Sequence, residues 1–419
     1  GGEGYLGRQV VEALAAEAGE GMTIVASDIR PPANPLSNVV YLTADIRSGE
    51  IERAIGEYKV DTVVHLAAIV TPGPKEDREA AHGVEVRGTR SILRACLAGG
   101  VERFVYTSSG AAYGYYADNP EWLDEDDEIR GNVEFAYSDH KRQVEEMLAR
   151  WRERSPELRQ LIFRPGVILG ASADNQITAL FEKPFILGVS GSASPFVFIW
   201  DQDVVGAIVK GVRQGGTGIF NLAGDGVLTM ADIAQSLGKR YLALPAWLLR
   251  GALWVLSKLG LTQYGPEQVG FLQYRPVLSN RRLKQEFGYI PMKTTREVFE
   301  FFLEARGYAP LPEPEPKSAP TPTPEPEPEP EPVPTPPPVP PPTPEPEKEK
   351  EPVASESSQM DDFIERELAA SEGTDQQSPA GEAEPDQREE TGRGDDTRDL
   401  LRQSSKNFRR RFDKKRKKK

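Results

Sequence analysis

Tyr137 and Lys141 stand four residues apart in FAYSDHKRQVEEMLARW, a segment whose apolar spacing predicts a helix. Such a helix carries both side chains on one face. A free phenol with a pKa of about 10 is a poor base at neutral pH. An adjacent ammonium stabilises the phenolate and brings it toward working range. Ser108 and Ser109 close the predicted strand RFVYTSS and offer hydroxyls where an open parallel sheet holds its ligands; turn formation is their other reading. Gly1, Gly4 and Gly7 form G-x-x-G-x-x-G ahead of a helical pattern. Glycines so spaced let a backbone turn sharply and meet a pyrophosphate at a helix amino terminus. Asp28 ends the next predicted strand, MTIVASD. A carboxylate there accepts hydrogen bonds from ribose hydroxyls and repels a 2′-phosphate, which favours NAD over NADP. Arg30 either softens that preference or is a solvated loop cation.

Alternating elements must position these groups. NVVYLTADI, DTVVHLAA, RFVYTSS and LRQLIFRP read as short apolar strands, with helices predicted over IERAIGEY and about Val84 to Leu97 between them. The pattern predicts an α/β protein with a Rossmann-type, doubly wound parallel sheet. The expected dinucleotide-binding domain spans 1–170, and a smaller mixed α/β substrate lobe spans 171–307. A buried strand is expected ahead of the glycine run, so the sequence reads as a fragment at its amino end. Cys96 is the only cysteine, which excludes a disulfide framework and a thiolate zinc site. Three scattered histidines, His65, His82 and His140, argue against a histidine metal centre, so no metal is expected.

Taken in order, GGEGYLG, Asp28, ADI, HLAA, YTSSGAAYG, YSDHK and FRPGVILG resemble the extended short-chain dehydrogenase/reductase family, the NAD-dependent epimerase/dehydratases. The resemblance covers about Gly1 to Gly307. It implies that Gly1, Gly4 and Gly7 hold the pyrophosphate, Asp28 the ribose, and Asp45 with Ile46 the adenine. It further implies that Ala67 and Ala68 line the dinucleotide cleft and that Ser109 hydrogen-bonds the reacting oxygen. Tyr137 would exchange a proton, and Lys141 would hold the nicotinamide ribose while acidifying the tyrosine. Asp203 matches an aspartate that is structural. Three departures stand out: Glu85 where asparagine is frequent, Gly166 and Val167 where nucleotide-sugar enzymes commonly carry an asparagine, and His140, read as a helix-surface residue, in place of a serine.

The resemblance implies hydride transfer at a secondary alcohol or ketone carbon of a small-molecule substrate. Whether the net outcome is oxidation, epimerisation or dehydration stays open. A non-catalytic dinucleotide sensor or assembly subunit is the rival function, and a sterol-like or lipid-like alcohol the rival substrate. LPAWLLRGALWVLSKLG, Leu244 to Gly260, is read as a lobe helix packed on the core, against a hydrophobic lid or membrane-surface helix.

Beyond the lobe the composition changes. Of 37 prolines, 21 fall between Pro310 and Pro352, which predicts a stiff Pro/Glu spacer over 308–352. Residues 353–419 read as disordered, acidic and then basic. From Leu311 onward 26 acidic and 18 basic residues give −8 of the total −14, leaving −6 for residues 1–310. An acidic body gives no electrostatic reason to expect nucleic acid there. The end, KNFRRRFDKKRKKK, is either a solvated tail or an element meeting anionic membrane or nucleic-acid phosphates. A homodimer is a further candidate assembly, in a cytoplasmic or peripheral-membrane setting.

Overall fold

The computed structural model describes residues 1–19, 21–69, 77–262 and 265–308. These lie in one compact unit; the spacer and tail fall outside the described residues. Strand–helix alternation follows the sequence order. Helix α1 (Tyr5–Ala16) leads to β1 (Ile24–Asp28), β2 (Val39–Thr43), α2 (Glu50–Glu57) and β3 (Thr62–His65). Next come α3 (Asp77–His82), a π-helical turn (Gly83–Gly88), α4 (Thr89–Ala98) and β4 (Arg103–Thr107). The predicted helix from Val84 is thus reached through a wide turn. A 3-10 turn (Gly110–Tyr113), α5 (Ala136–Arg154) and β5 (Arg159–Pro165) complete this run.

The main sheet has the order β3-β4-β5-β9, with β9 (Gly218–Leu222), and β1 pairs with β2 as a separate parallel set. Strand alternation sorts the core. Phe104 and Tyr106 of β4 and Ile162 of β5 meet Leu93 and Cys96 of α4 and Val144 and Leu148 of α5. Val105, Leu161 and Phe163 face the other way, against Val10 and Leu14 of α1 and Val204 and Ile208 of α7 (Asp201–Gln214). Both faces are therefore covered by helices, the doubly wound arrangement expected. Residues 201–222, from the span assigned to the smaller lobe, return to this large sheet.

The lobe adds β6 (Val167–Leu169) paired with β8 (Phe198–Trp200), and β7 (Phe185–Val189) paired with β10 (Arg240–Leu244). Its core is aromatic: Phe181, Phe196, Phe198, Phe299 and Phe302 pack together with α6 (Gln176–Phe181), α8 (Met230–Ser236) and α12 (Thr295–Ala305). Helices α9 (Ala246–Lys258), α10 (Gln268–Gln273) and α11 (Arg281–Gln285) complete it. Of α9 only Leu249 is fully buried. The helix packs on the lobe core as expected, but only through a narrow inner stripe, and its remaining faces meet solvent.

A buried polar network ties the loop between the 3-10 turn and α5 to the main sheet. Arg164 of β5 donates to Glu145 of α5 (2.6 Å), to the Tyr113 hydroxyl (2.8 Å) and to the Glu125 carbonyl (3.1 Å). The Glu125 carboxylate accepts from the Asn221 backbone N–H at 2.7 Å. Burial pushes the Glu125 carboxyl up to about 7, against the Asn221 hydrogen bond. From its ordinary 4.5 up to about 7, the folded chain keeps a proton that the unfolded chain has released. Stability from this group is therefore full below the unfolded pKa and is lost as pH rises to about 7. The expected outcome is that Glu125→Gln removes this slope in urea melts, so that wild type declines relative to the variant across that window; parallel profiles refute it.

Candidate active site

Because β3 and β4 pair in parallel, the segments after them emerge at the same edge, and the glycine turn links them to the segment after β1. The glycine turn sits among them. Gly4 caps α1 in an extended conformation, and Gly2 N–H donates to the Ser27 carbonyl at 2.9 Å. A Cβ on Gly7 would lie 1.9 Å from the Gly1 carbonyl oxygen, and one on Gly1 would lie 2.6 Å from Ala67 N. Only glycine permits this approach. The turn is thereby pressed between Ser27 and the Leu66–Ala67 backbone, joining the expected phosphate loop to HLAA. Ala67 is half-buried and Ala68 exposed.

Asp28, 9% exposed, accepts from Glu3 N–H (3.1 Å) and from Arg30 N–H and Nε–H (both 3.1 Å). Burial works against its charge, but hydrogen bonds from the Arg30 guanidinium and backbone N–H, together with nearby positive charge, hold the carboxyl below its usual range. Arg30 also donates to the Glu3 carbonyl at 2.7 Å, so this loop cation partners Asp28 while its side chain stays 61% exposed. Asp45 is engaged bidentately by Arg47, at 2.9 and 2.6 Å. Ile46 lays its side chain over Gly88.

Lys141 is deeply set, at 1% exposure. Its Nζ lies 3.2 Å from Glu85 Oε2, and it donates to the Tyr106 hydroxyl (3.0 Å) and the Thr107 carbonyl (3.3 Å). Burial disfavours its charge, yet Glu85, followed by the phenols of Tyr106 and Tyr137, holds its pKa above the ordinary lysine value. Glu85 Oε1 accepts from Ile69 N–H at 2.7 Å, so one carboxylate fixes both the loop after β3 and the ammonium. Tyr137, half-buried, has its ring centroid 5.7 Å from Lys141 Nζ.

The two serines after β4 diverge. Ser108 is buried and donates to Glu145 Oε1 at 2.5 Å, which commits it to the core network. Half-buried Ser109 caps the 3-10 turn by accepting from Ala111 N–H at 3.1 Å. Ser138 donates to the Ala111 carbonyl at 2.6 Å, locking that turn against the first turn of α5. The structure thus gathers Ser109, Tyr137 and Lys141 around one edge. His65 is buried against Tyr106 and kept neutral by burial, its pKa pushed down to about 3. His140 is also buried, with its ring 5.4 Å from His82, which corrects its reading as a surface residue: α3 and the π-helical turn cover that side of α5. Asp203 accepts from Met292 N–H (2.8 Å) and Tyr289 (3.1 Å) and has a structural place. Among the described residues no acid, histidine and cysteine cluster could hold a metal.

Arg275 escaped the sequence reading. Its guanidinium lies 4.0 Å from the Phe196 ring centroid and 5.9 Å from that of Tyr115. Tyr115 in turn meets Phe271 and Phe135, and Phe135 packs on Tyr137. No described carboxylate forms an ion pair with Arg275, and burial lowers its pKa. A Cβ at Gly166 would meet the Val197 carbonyl at 2.9 Å, so strand contact, not ligand chemistry, occupies that position.

A model of the NAD dependent epimerase/dehydratase family matches residues 1–223. The chain belongs to that family, whose cofactor is NAD. An uncharacterised Mycobacterium tuberculosis protein is 26% identical over 316 residues, covering 73% of this chain and 83% of the relative. The N-acetyl-alpha-D-glucosaminyl-diphospho-ditrans,octacis-undecaprenol 4-epimerase of Escherichia coli O157:H7 is 29% identical over 254 residues, covering 54% and 70%. The fold is that of the Thermotoga maritima UDP-glucose 4-epimerase solved with UDP-glucose, at 18% identity and a TM-score of 0.57, covering 73% of this chain and 97% of that one. A short-chain dehydrogenase/reductase superfamily protein from Agrobacterium tumefaciens with bound NAD gives 23% identity and a TM-score of 0.56, covering 73% and 95%. Among the described residues no helix is long and apolar enough to cross a membrane.

Removing one partner of a buried pair leaves the other charge without compensation. Glu85→Ala is therefore expected to destabilise the fold by roughly 3–5 kcal/mol in urea unfolding. A loss under about 1 kcal/mol, the range of an exposed pair, refutes the burial of this interaction.

Proposed function

We propose that this family member is an NAD-dependent enzyme of epimerase, dehydratase or dehydrogenase type, working at a secondary alcohol carbon. The observation that carries the reading is the ammonium of Lys141 held 5.7 Å from the Tyr137 ring, one helical turn away, beside the strand end bearing Ser109. NAD, when bound, supplies the hydride acceptor. The glycine turn, the carboxylate of Asp28 and the HLAA loop fit a dinucleotide: the close backbone approach leaves room for a pyrophosphate at the amino end of α1, and Asp28 faces ribose hydroxyls. Asp45 and Ile46 would border the adenine, with the Asp45 side chain shared with Arg47.

In this reading Tyr137 takes the substrate's hydroxyl proton or returns it. Lys141 favours the phenolate by its charge. Ser109 donates to the oxygen on which negative charge develops. Lys141 would also hold the nicotinamide ribose. Glu85 offsets part of the ammonium's field at Tyr137.

Arg275 supports a substrate that carries phosphate. A half-buried guanidinium without a carboxylate partner, beside an aromatic wall that runs to Tyr137, suits a diphosphate ester. The named relatives that act on or bind diphosphate-linked sugars support the same class. We therefore take the substrate to be a glycosyl diphosphate, nucleotide- or lipid-linked.

Tyr137→Phe is expected to lower turnover by about 10²–10⁴-fold while NAD affinity, followed by fluorescence titration, stays within about twofold. Unchanged turnover refutes the catalytic assignment. Arg275→Ala is expected to raise KM for the phosphorylated substrate by about 10- to 100-fold with little change in kcat, the loss of one charge-assisted contact.

A further inference from the structure

Helix α9 turns an apolar and cationic face to solvent. Its inner stripe, Ala246, Leu249 and Leu253, rests on Val189 and on Val269 and Leu272 of α10. On the outer side Trp247, Trp254 and Lys258 recur at i, i+7 and i+11, and are therefore aligned on one face. Leu248, Val255 and Leu259 repeat the same spacing one residue on. Trp247 is 74% exposed, Trp254 55% and Leu259 66%. Isolated exposed apolar residues need no explanation, but two adjacent rows form a contiguous patch.

Charge identifies the occupant. Residues 233–266 carry Lys239, Arg240, Arg250 and Lys258 and no carboxylate, within a body whose net charge is −6. A second copy docked about a two-fold axis would bring these cations against their own counterparts. Anionic lipid satisfies both features: indole rings settle at headgroup depth, aliphatic side chains enter the acyl boundary, and the cations meet phosphate. At about 1.5 Å per residue, thirteen residues extend roughly 20 Å, too short to span a bilayer but suited to lying in its plane. We propose that α9 is a docking helix for an anionic membrane surface. Phe271 of α10 packs against Tyr115 and Phe135 beside Tyr137, so docking brings the candidate active site close to the headgroups.

The test uses the full chain with phosphatidylcholine vesicles, with and without phosphatidylglycerol, bearing brominated acyl chains. Tryptophan fluorescence should be quenched on vesicles containing phosphatidylglycerol. The Trp247→Ser/Trp254→Ser variant, with unchanged circular dichroism, should lose most of that quenching. Arg250→Gln/Lys258→Gln should weaken binding by about 30-fold. Three results overturn the proposal. One is vesicle flotation without quenching, which assigns binding to the tryptophan-free basic tail. Another is equal quenching on neutral vesicles. The third is concentration-dependent dimerisation, abolished by the tryptophan variant, with no quenching on either vesicle.

Discussion

A lysine ammonium and a glutamate carboxylate, both withdrawn from water, hold the segments of the candidate site in register. Withdrawing two such charges costs several kcal/mol per ion, which their mutual attraction and the hydrogen bonds to Tyr106, Thr107 and Ile69 offset. Lys141 belongs to α5 and donates to β4 through Tyr106 and Thr107. Glu85 belongs to the π-helical turn and accepts from Ile69 after β3. The connection after β3, the end of β4 and helix α5 are thereby tied to one buried point. The π-helical turn follows from this demand, since a wider turn at Gly83–Gly88 sets Glu85 beneath the loop it must reach.

A second buried pair serves the architecture. Arg164 and Glu145 face each other across β5 and α5, with Tyr113 and Ser108 completing their shells. Ser108 is thereby consumed by the core. Its neighbour Ser109 points elsewhere because successive residues at a strand end face opposite ways. Two adjacent hydroxyls of equal chemistry in the sequence become unequal through this alternation. The serine left outside the network is the one available to a ligand.

The sheet, its parallel strands and the glycine turn were legible in the sequence because each rests on local signals: short apolar runs, period 3.6 in the helices, and glycine spacing. Tyr137 and Lys141 were legible for the same reason, being one turn apart. What was not legible depends on distant segments. Glu85 stood out only as a departure, since nothing local pairs it with a lysine 56 positions later. Arg275 sits in an unremarkable stretch, and its aromatic neighbours, Tyr115 and Phe196, come from two distant segments. His140 has a polar side chain in a largely charged helix, and its burial follows from α3 crossing that face. The strands β7 and β10 pair chiefly with each other, so neither shows the buried run that marks a main-sheet strand.

Helix α9 shows the converse. Its composition is apolar nearly all round, the usual mark of a helix enclosed by protein. Yet the lobe offers it only a shallow seat, and Leu249 alone is fully buried. Burying one leucine contributes about 1.5–3 kcal/mol, little to oppose the ordering entropy of thirteen residues. The helix therefore gains least from the fold that carries it and most from any apolar phase beyond it. Apolar residues on a face the core does not use have no folding rationale in water. Their alignment into rows flanked by cations, with carboxylates excluded from the surrounding sequence, is a pattern that packing within this lobe does not require.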